Sequence, residues 1–438
     1  MEFFIAGLYA VLITAIILRW RFFRLSGISI HWIVVAFIIK LIAGFTLWKV
    51  YTSYYTEMDG SDATRYYHDA MLIKSQLDEN PAVFYALMVG IENHSPEYEA
   101  VYDKLVGWYS GYRYGLTNDY RTIVRLQVII SFISFGSYHV HWIIMSFLSL
   151  LGLTWIFKCF ESLFKGREFW LFAACFLLPS VVFWSSGLLK EGPALFGLGL
   201  LFFLFSKIIN RNFKWYHFAF LIPALGFLFY LKQYVLLAFI PAAVFLIVIR
   251  VTGEKFALYK FLLSQIICFI IAQNAHYFFV GGDFLYVLGK KRVDFENTAA
   301  LHSARSSVEI PESTSTVEFL LNSPQAFALT YLRPYFWESK SWMYMIFALE
   351  NLVYVILILF LILFFRRIPK SEHPILIYAA ASFALVMASI VGNCVPVLGS
   401  VVRYRILSLP LLIIVCCYFI DFPKIKKTCE SFIKRKSD

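Results

Sequence analysis

Long apolar runs separated by short basic clusters organise this chain. Runs of about twenty apolar residues, the length that crosses a bilayer core, lie near 3–19, 30–50, 138–160, 168–186, 192–208, 216–231, 234–250, 258–279, 341–365, 374–392 and 404–420. They predict a single all-α polytopic membrane domain over 1–438, with about 11 transmembrane helices. The first run is followed by arginines and lacks both a basic leader and a small-residue cleavage site, so it reads as a retained helix and not a signal peptide. TIVRLQVIISFISFG (122–136) is shorter and carries an arginine. It reads as an interfacial or re-entrant segment, because a crossing there would reverse the side of every later basic cluster.

Those clusters sit at alternate junctions: Arg19/Arg21/Arg24, Lys158/Lys165/Arg167, Lys207/Arg211/Lys214, Arg250/Lys255/Lys260, Arg366/Arg367/Lys370 and a tail from Lys424 to Lys436. The positive-inside rule assigns them to the cytoplasm. The amino terminus is then outside and the basic tail, about 421–438, inside. Two long loops, about 51–137 and about 280–340, face out, with short ones near 186–192, 232–233 and 393–403. A composition of 60% hydrophobic residues and a mean hydropathy of +0.70 exclude a soluble globule. The excess of 39 basic over 28 acidic residues falls in the junction clusters, so it marks topology and predicts no nucleic-acid partner. Seven cysteines (159, 175, 268, 394, 416, 417, 429) form no CxxC pair and no zinc-like spacing, and read as buried thiols. No eukaryotic sorting signal is evident, which points to a bacterial inner (plasma) membrane.

The candidate chemistry lies in the outer loops. MDGSDATRYYHDA (58–70) places Asp59 and Asp62 at helical i, i+3 spacing, with Tyr66 a turn further on. Such a pair can act as a general base or hold a divalent cation such as Mg or Mn; Asp-Gly-Ser-Asp is equally the composition of a solvated turn and helix cap. Arg65, Tyr66 and His68 are substrate-contact candidates. His68 fits a hydrogen-bonding role better than metal ligation, because no second histidine stands at ligand spacing. PSVVFWSSGLLKEG (179–192) sets Lys190 and Glu191 in apolar surroundings, where charge is costly and marks function. YLRPYFWESKSW (331–342) carries Arg333, Glu338 and Lys340 ahead of a helix containing Glu350, and SVVRYRILSLP (400–410) carries Arg403 and Arg405. Lys232 stands alone in FYLKQYV. Outer cations run against the topological bias. Their shared depth predicts that Lys190, Lys232, Arg333, Arg403 and Arg405 converge opposite the carboxylates and hold the phosphate or diphosphate of a lipid whose tail lies between helices. Lys40 and Glu350, deeper in the helices, either join this site or pair internally.

These stretches resemble the GT-C class of integral-membrane glycosyltransferases. MDGSDATRYYHDA is similar to the acidic pair and following Tyr in the first long outer loop of that class. LLPSVVFWSSGLLKEG, YLRPYFWES and RYRILSLP are similar to segments of bacterial envelope-polysaccharide and protein-glycosylation enzymes. One departure is that the acidic loop follows the second helix here, where many members reach it after one. The resemblance implies a GT-C-like fold and displacement at the anomeric carbon of a polyprenyl-(di)phosphate-linked sugar. Asp59, with Asp62 as its partner, would serve as base toward a glycan, lipid or protein acceptor, or hold a metal that does part of that work. Arg403, Arg405, Arg333 and Lys190 would stabilise the departing phosphate. A surface-glycan (O-antigen-type) polymerase using its outer arginines is an alternative. So is a lipid-linked sugar flippase or transporter, although such proteins bind near the midplane between matched halves, and this chain shows no repeat. A purely structural membrane component would tolerate Asn at both acidic positions.

Overall fold

The computed structural model describes residues 2–54, 61–91, 93–108, 118–278, 282–301, 306–338, 341–369 and 373–437. The chain folds into helices α1 (Glu2–Arg19), α2 (Ile30–Tyr54), α3 (Asp62–Glu79), α4 (Pro81–Val89), α5 (Pro96–Tyr102), α6 (Asp119–Ser134) and α7 (Tyr138–Phe160). Next come α8 (Glu168–Phe176), α9 (Pro179–Trp184), α10 (Glu191–Ile209), α11 (Phe218–Leu231), α12 (Gln233–Thr252), α13 (Ala257–Gln273) and α14 (Phe284–Leu301). The last are α15 (Thr316–Leu332), α16 (Trp342–Leu363), α17 (Ile375–Cys394), α18 (Leu398–Arg405), α19 (Leu409–Phe419) and α20 (Phe422–Ser437). Among the described residues β pairing is limited to isolated bridges.

The expectation of an all-α multi-pass membrane protein holds at this level. Among the described residues, 7 helices (α1, α2, α7, α10, α12, α16 and α17) are long and apolar enough to cross a bilayer. The α18–α19 pair, bent by 65°, makes an eighth if it is one span. The remaining expected spans are shorter: α11 and α13 fall below full length, and 168–186 is split into α8 and α9. Pro179 explains the split, since a proline drives the preceding residue out of helical conformation and itself suits a first helical turn; Leu178 is extended. Pro410 lies in the first turn of α19, where a proline is tolerated.

At the centre, α7 and α10 run parallel in one register, Met145 against Gly192 and Gly152 against Gly199. A Cβ on Gly199 would lie 2.1 Å from the Gly152 carbonyl oxygen, and one on Gly152 2.2 Å from that of Leu195. Between membrane helices, close approach through small residues replaces hydrophobic drive as the source of association. This axis gathers the basic junctions at one end of the bundle. There Lys158 Nζ donates to the Arg24 carbonyl at 3.4 Å, Arg167 to that of Tyr418 at 3.4 Å, and Arg250 Nε to that of Ile208 at 3.1 Å. The Arg366 amide reaches the Phe419 carbonyl at 2.7 Å. The opposite end carries α3 to α6, the Lys190 turn and Lys232. The open segment 122–136 belongs to α6, whose first residue pairs with Lys190 and whose far end leads directly into α7. It therefore lies across that end and does not pass through the bundle.

Two buried charges deep in the helices serve the broken segments. At the start of α9 the Ser180 amide and hydroxyl both donate to Glu350 Oε1 at 3.0 Å, and at its end Lys40 Nζ donates to Ser185 Oγ at 2.6 Å. The Glu350 carboxylate meets an orphan amide at the amino end of α9, which its dipole favours, and Lys40 meets a hydroxyl at the other end. Arg405 does similar work for α15. Fully buried, it donates to the carbonyls of Thr330 (3.3 Å), Tyr331 (3.4 Å) and Arg333 (3.1 Å) and to Asn351 Oδ1 (2.7 Å), with Glu350 Oε2 at 3.6 Å. Five of the seven cysteines are buried and free.

Replacing Gly199 with Val should destabilise the bundle by about 1–3 kcal/mol or more, because backbone and not a flexible side chain occupies the space. Gly226→Ala, where nothing lies within 4 Å, should be near neutral; thermal unfolding of the two in detergent checks this. Arg405→Ala should cost roughly 3–5 kcal/mol, since it strands a buried carboxylate and the last carbonyls of α15. The same unfolding measurement should show that loss in a protein assayed for nothing else.

Candidate functional site

The site forms where the ends of α3, α6, α10 and α18 meet the α11–α12 turn. Ser61 caps α3, accepting the Thr64 amide at 3.2 Å, so Asp62 opens the helix and Tyr66 follows one turn later on the same side. Arg403 reaches the site from the far end of the chain. Its Nη1 donates to Asp62 Oδ2 at 2.6 Å, and its Nε lies 3.0 Å from Glu191 Oε1. Glu191, 0% exposed, also accepts from Lys232 Nζ at 2.8 Å. Lys190 turns outward, donating to Asp119 Oδ2 at 2.7 Å while its ammonium stands 5.3 Å from the centre of the Tyr66 ring. Lys232 is flanked by the rings of Tyr404 (4.7 Å) and Tyr234 (5.5 Å).

The result is a cluster of alternating charge flanked by aromatic rings, termed the crevice. Burial pushes the Asp62 carboxyl up, but the charge and hydrogen bond of Arg403, followed by Lys190 and Arg65, outweigh it and hold the group below the ordinary carboxylate range. Asp62 is therefore ionised at neutral pH, and the stability of its pair with Arg403 is present above about pH 4 and lost as the pH falls through its lowered value.

The structure brings together Asp62, Arg65, Tyr66, Lys190, Glu191, Lys232 and Arg403. It does not bring in all of the expected residues. Arg333 pairs in its own loop with Glu338, through Nε to Oε2 at 3.1 Å, and Glu338 also accepts the Tyr335 amide at 2.8 Å. Arg405 directs its donors to the last carbonyls of α15 and to Asn351, away from this cluster. Arg403 and Arg405 are two residues apart on one helix, so they point roughly 200° apart. His68 contacts Asp69 at 3.2 Å. Asp69 in turn accepts from the Val106 amide (2.8 Å), the Gly107 amide (3.0 Å) and the Tyr120 hydroxyl (2.9 Å), tying the loop before α6 to α3. Asp59 and Lys340 lie outside the described residues.

Sequence reasoning passed over Asp119, Tyr234 and Tyr404. The signal for Asp119 was the TNDY sequence, in which Asn118 caps α6 by accepting the Tyr120 amide at 2.9 Å and leaves Asp119 free to reach out. Among the described residues no three His, Cys, Asp or Glu side chains group as metal ligands.

Two cavities lie elsewhere in the fold, and none of the cluster residues lines either of them. An apolar one of about 330 Å³ lies between α2, α9 and α16, lined by Ala43, Thr46, Val182, Phe183 and Phe347; next to Thr46 on α2, Leu47 packs on Gly187. A polar one of about 390 Å³ lies between α14 and the strand-like pairing at Pro396, lined by Arg292, Glu296, Ser307 and Glu309. Phe295 of α14 meets Tyr404 edge-on at 6.0 Å. No protein-family model, curated protein or solved structure matches the chain.

Proposed function

We propose that this protein is a membrane glycosyltransferase of GT-C type, moving a sugar or oligosaccharide from a polyprenyl-(di)phosphate donor to a glycan, lipid or protein acceptor. The observation that carries the reading is the direct contact of Asp62 with Arg403, beside Lys190 and Lys232, at one end of a membrane bundle. Transfer needs a carboxylate to receive a proton and fixed cations to receive a phosphate, side by side. The apolar cavity suits the hydrocarbon chain of the donor, and the polar one suits a hydroxylated acceptor. In a bacterial inner membrane the crevice faces out, with the amino terminus outside and the carboxyl terminus inside. The gathering of basic junctions at the opposite end supports this orientation, and the 11-span topology follows if α8–α9, α11, α13 and α18–α19 each cross.

In this reaction the acceptor oxygen forms a bond to the anomeric carbon as the bond from that carbon to the phosphate oxygen breaks. The electron pair leaves on the phosphate, where Arg403 and Lys190 meet the growing charge. The acceptor proton passes to a carboxylate, Asp62 or Asp59. Concentration of charge at one end of the bundle favours this reading over a flippase, which would place its polar groups near the midplane.

In cells lacking the native gene, Asp62→Asn and Asp59→Asn are each to be assayed for glycan transfer at matched membrane levels. Loss of the base should lower transfer about 10²–10⁴-fold; normal product from both variants would sink the transferase reading. Because the Asp62 carboxyl is held low in the free protein, its acid limb in kcat/KM should fall below about pH 4, leaving kcat/KM flat from it between about pH 5 and 8.

A further inference from the structure

The charges of the crevice are arranged in two tiers. In the inner tier Glu191, fully buried, fixes Lys232 and Arg403 from behind. In the outer tier two carboxylates cap two cations from the solvent side. Asp62 is 42% exposed on Arg403, which is 15% exposed, and Asp119 is 58% exposed on Lys190, which is 12% exposed. In each outer pair the cation is enclosed and the carboxylate is wet. Behind Arg403 the buried Glu191 carboxylate stands 3.0 Å from its Nε, a charge that keeps the guanidinium near when its outer partner leaves. Lys190 stands over Tyr66 and immediately precedes Glu191.

We infer that Asp62 and Asp119 are displaceable caps on a two-point anion site, and that the ligand they make way for carries two linked anionic groups, a diphosphate in preference to a monophosphate. Each carboxylate is already partly in water, so it rehydrates readily when it leaves, and the incoming anion takes its place against the enclosed cation. Phosphate oxygens offer more charge and more acceptors to the same donors. The two capped cations act on one place: Asp62 lies in the fields of both Arg403 and Lys190, and Tyr66 in those of Asp62, Arg403 and Asp119. Two capped cations, one of them standing over Tyr66 a turn along α3 from Asp62, call for two bridged anions. Once displaced, Asp62 also loses the cation that weakens it as a base, so it gains basicity when the anion binds. The inference rests on the transferase reading only for the lipid and sugar attached to the diphosphate.

The test uses the full chain in lipid nanodiscs and isothermal titration calorimetry in metal-free buffer, with inorganic pyrophosphate and inorganic phosphate as probes. Wild type should bind pyrophosphate at least ten-fold more tightly than phosphate. Asp119→Asn and Asp62→Asn should each tighten anion binding several-fold, because each removes an internal competitor, whereas Lys190→Gln and Arg403→Gln should weaken it at least ten-fold. Circular dichroism and thermal unfolding establish that each variant is folded before it is titrated. Equal affinity for the two probes, no anion binding by wild type, or asparagine variants that bind no more tightly than wild type, would overturn the inference. If the asparagine variants tighten pyrophosphate binding while wild type transfers no sugar, the two-point site stands and the transferase reading alone fails.

Discussion

A charge enclosed among membrane helices must find an opposite charge or an unpaired backbone group within reach, because desolvation otherwise costs several kcal/mol. Glu191 is where this constraint acts most strongly. Its carboxylate, with no exposure to solvent, is shared by Lys232 and Arg403, and it thereby joins α10, the α11–α12 turn and α18 at one end of the bundle. The crevice exists because these three elements cannot separate without stranding a buried charge. The same rule governs the deeper part of the fold. Glu350 and Lys40 sit at the two ends of the short helix α9, and Arg405 closes the last turn of α15. The break introduced by Pro179 exposes a backbone amide inside the bundle, and Glu350 of another helix accepts it.

This division explains why charges at similar depth have different tasks. Arg405 has its hydrogen bonds directed at carbonyls that cannot move. Arg403, on the opposite side of the same short helix, has one nitrogen committed to a buried carboxylate and another offered to an exposed one. Only the second arrangement leaves a donor available to an incoming group. Burial of the partner, more than burial of the arginine, separates an architectural cation from one that can bind.

Much of this was legible in the sequence. The apolar runs and basic clusters gave the class of fold and the gathering of basic junctions at one end, and cost arguments singled out Lys190, Glu191, Lys232 and Arg403. Two kinds of information were missing. Hydropathy counts apolar residues and does not register a break, so 168–186 read as one span until Pro179 split it. Shared depth says nothing about rotation around a helix, so Arg333 and Arg405 were grouped with residues they do not meet. The spacing of Arg403 and Arg405 did contain that answer, since two residues on a helix take side chains to opposite sides. The pairing of Asp62 with Arg403 spans 341 positions, and no local pattern specifies it. Asp119 was hidden for a different reason: beside the capping Asn118 it reads as part of a turn.

An ion pair at the mouth of a site usually reads as an obstacle to binding, since the ligand must break it. With a buried carboxylate behind the guanidinium the effect is the reverse. Unpaired, Arg403 would be drawn toward Glu191 or toward water and would lose its orientation. Held between an inner carboxylate that stays and an outer one that can leave, it is kept in place before any ligand arrives, and the energetic cost of orienting it is met during folding. The exposed carboxylate then exchanges water for a cation in one direction and a cation for water in the other, a nearly balanced trade. What enters in its place determines which way the balance tips. A carboxylate whose basicity rises only when an anion takes its partner is weak in the empty crevice and stronger in the filled one.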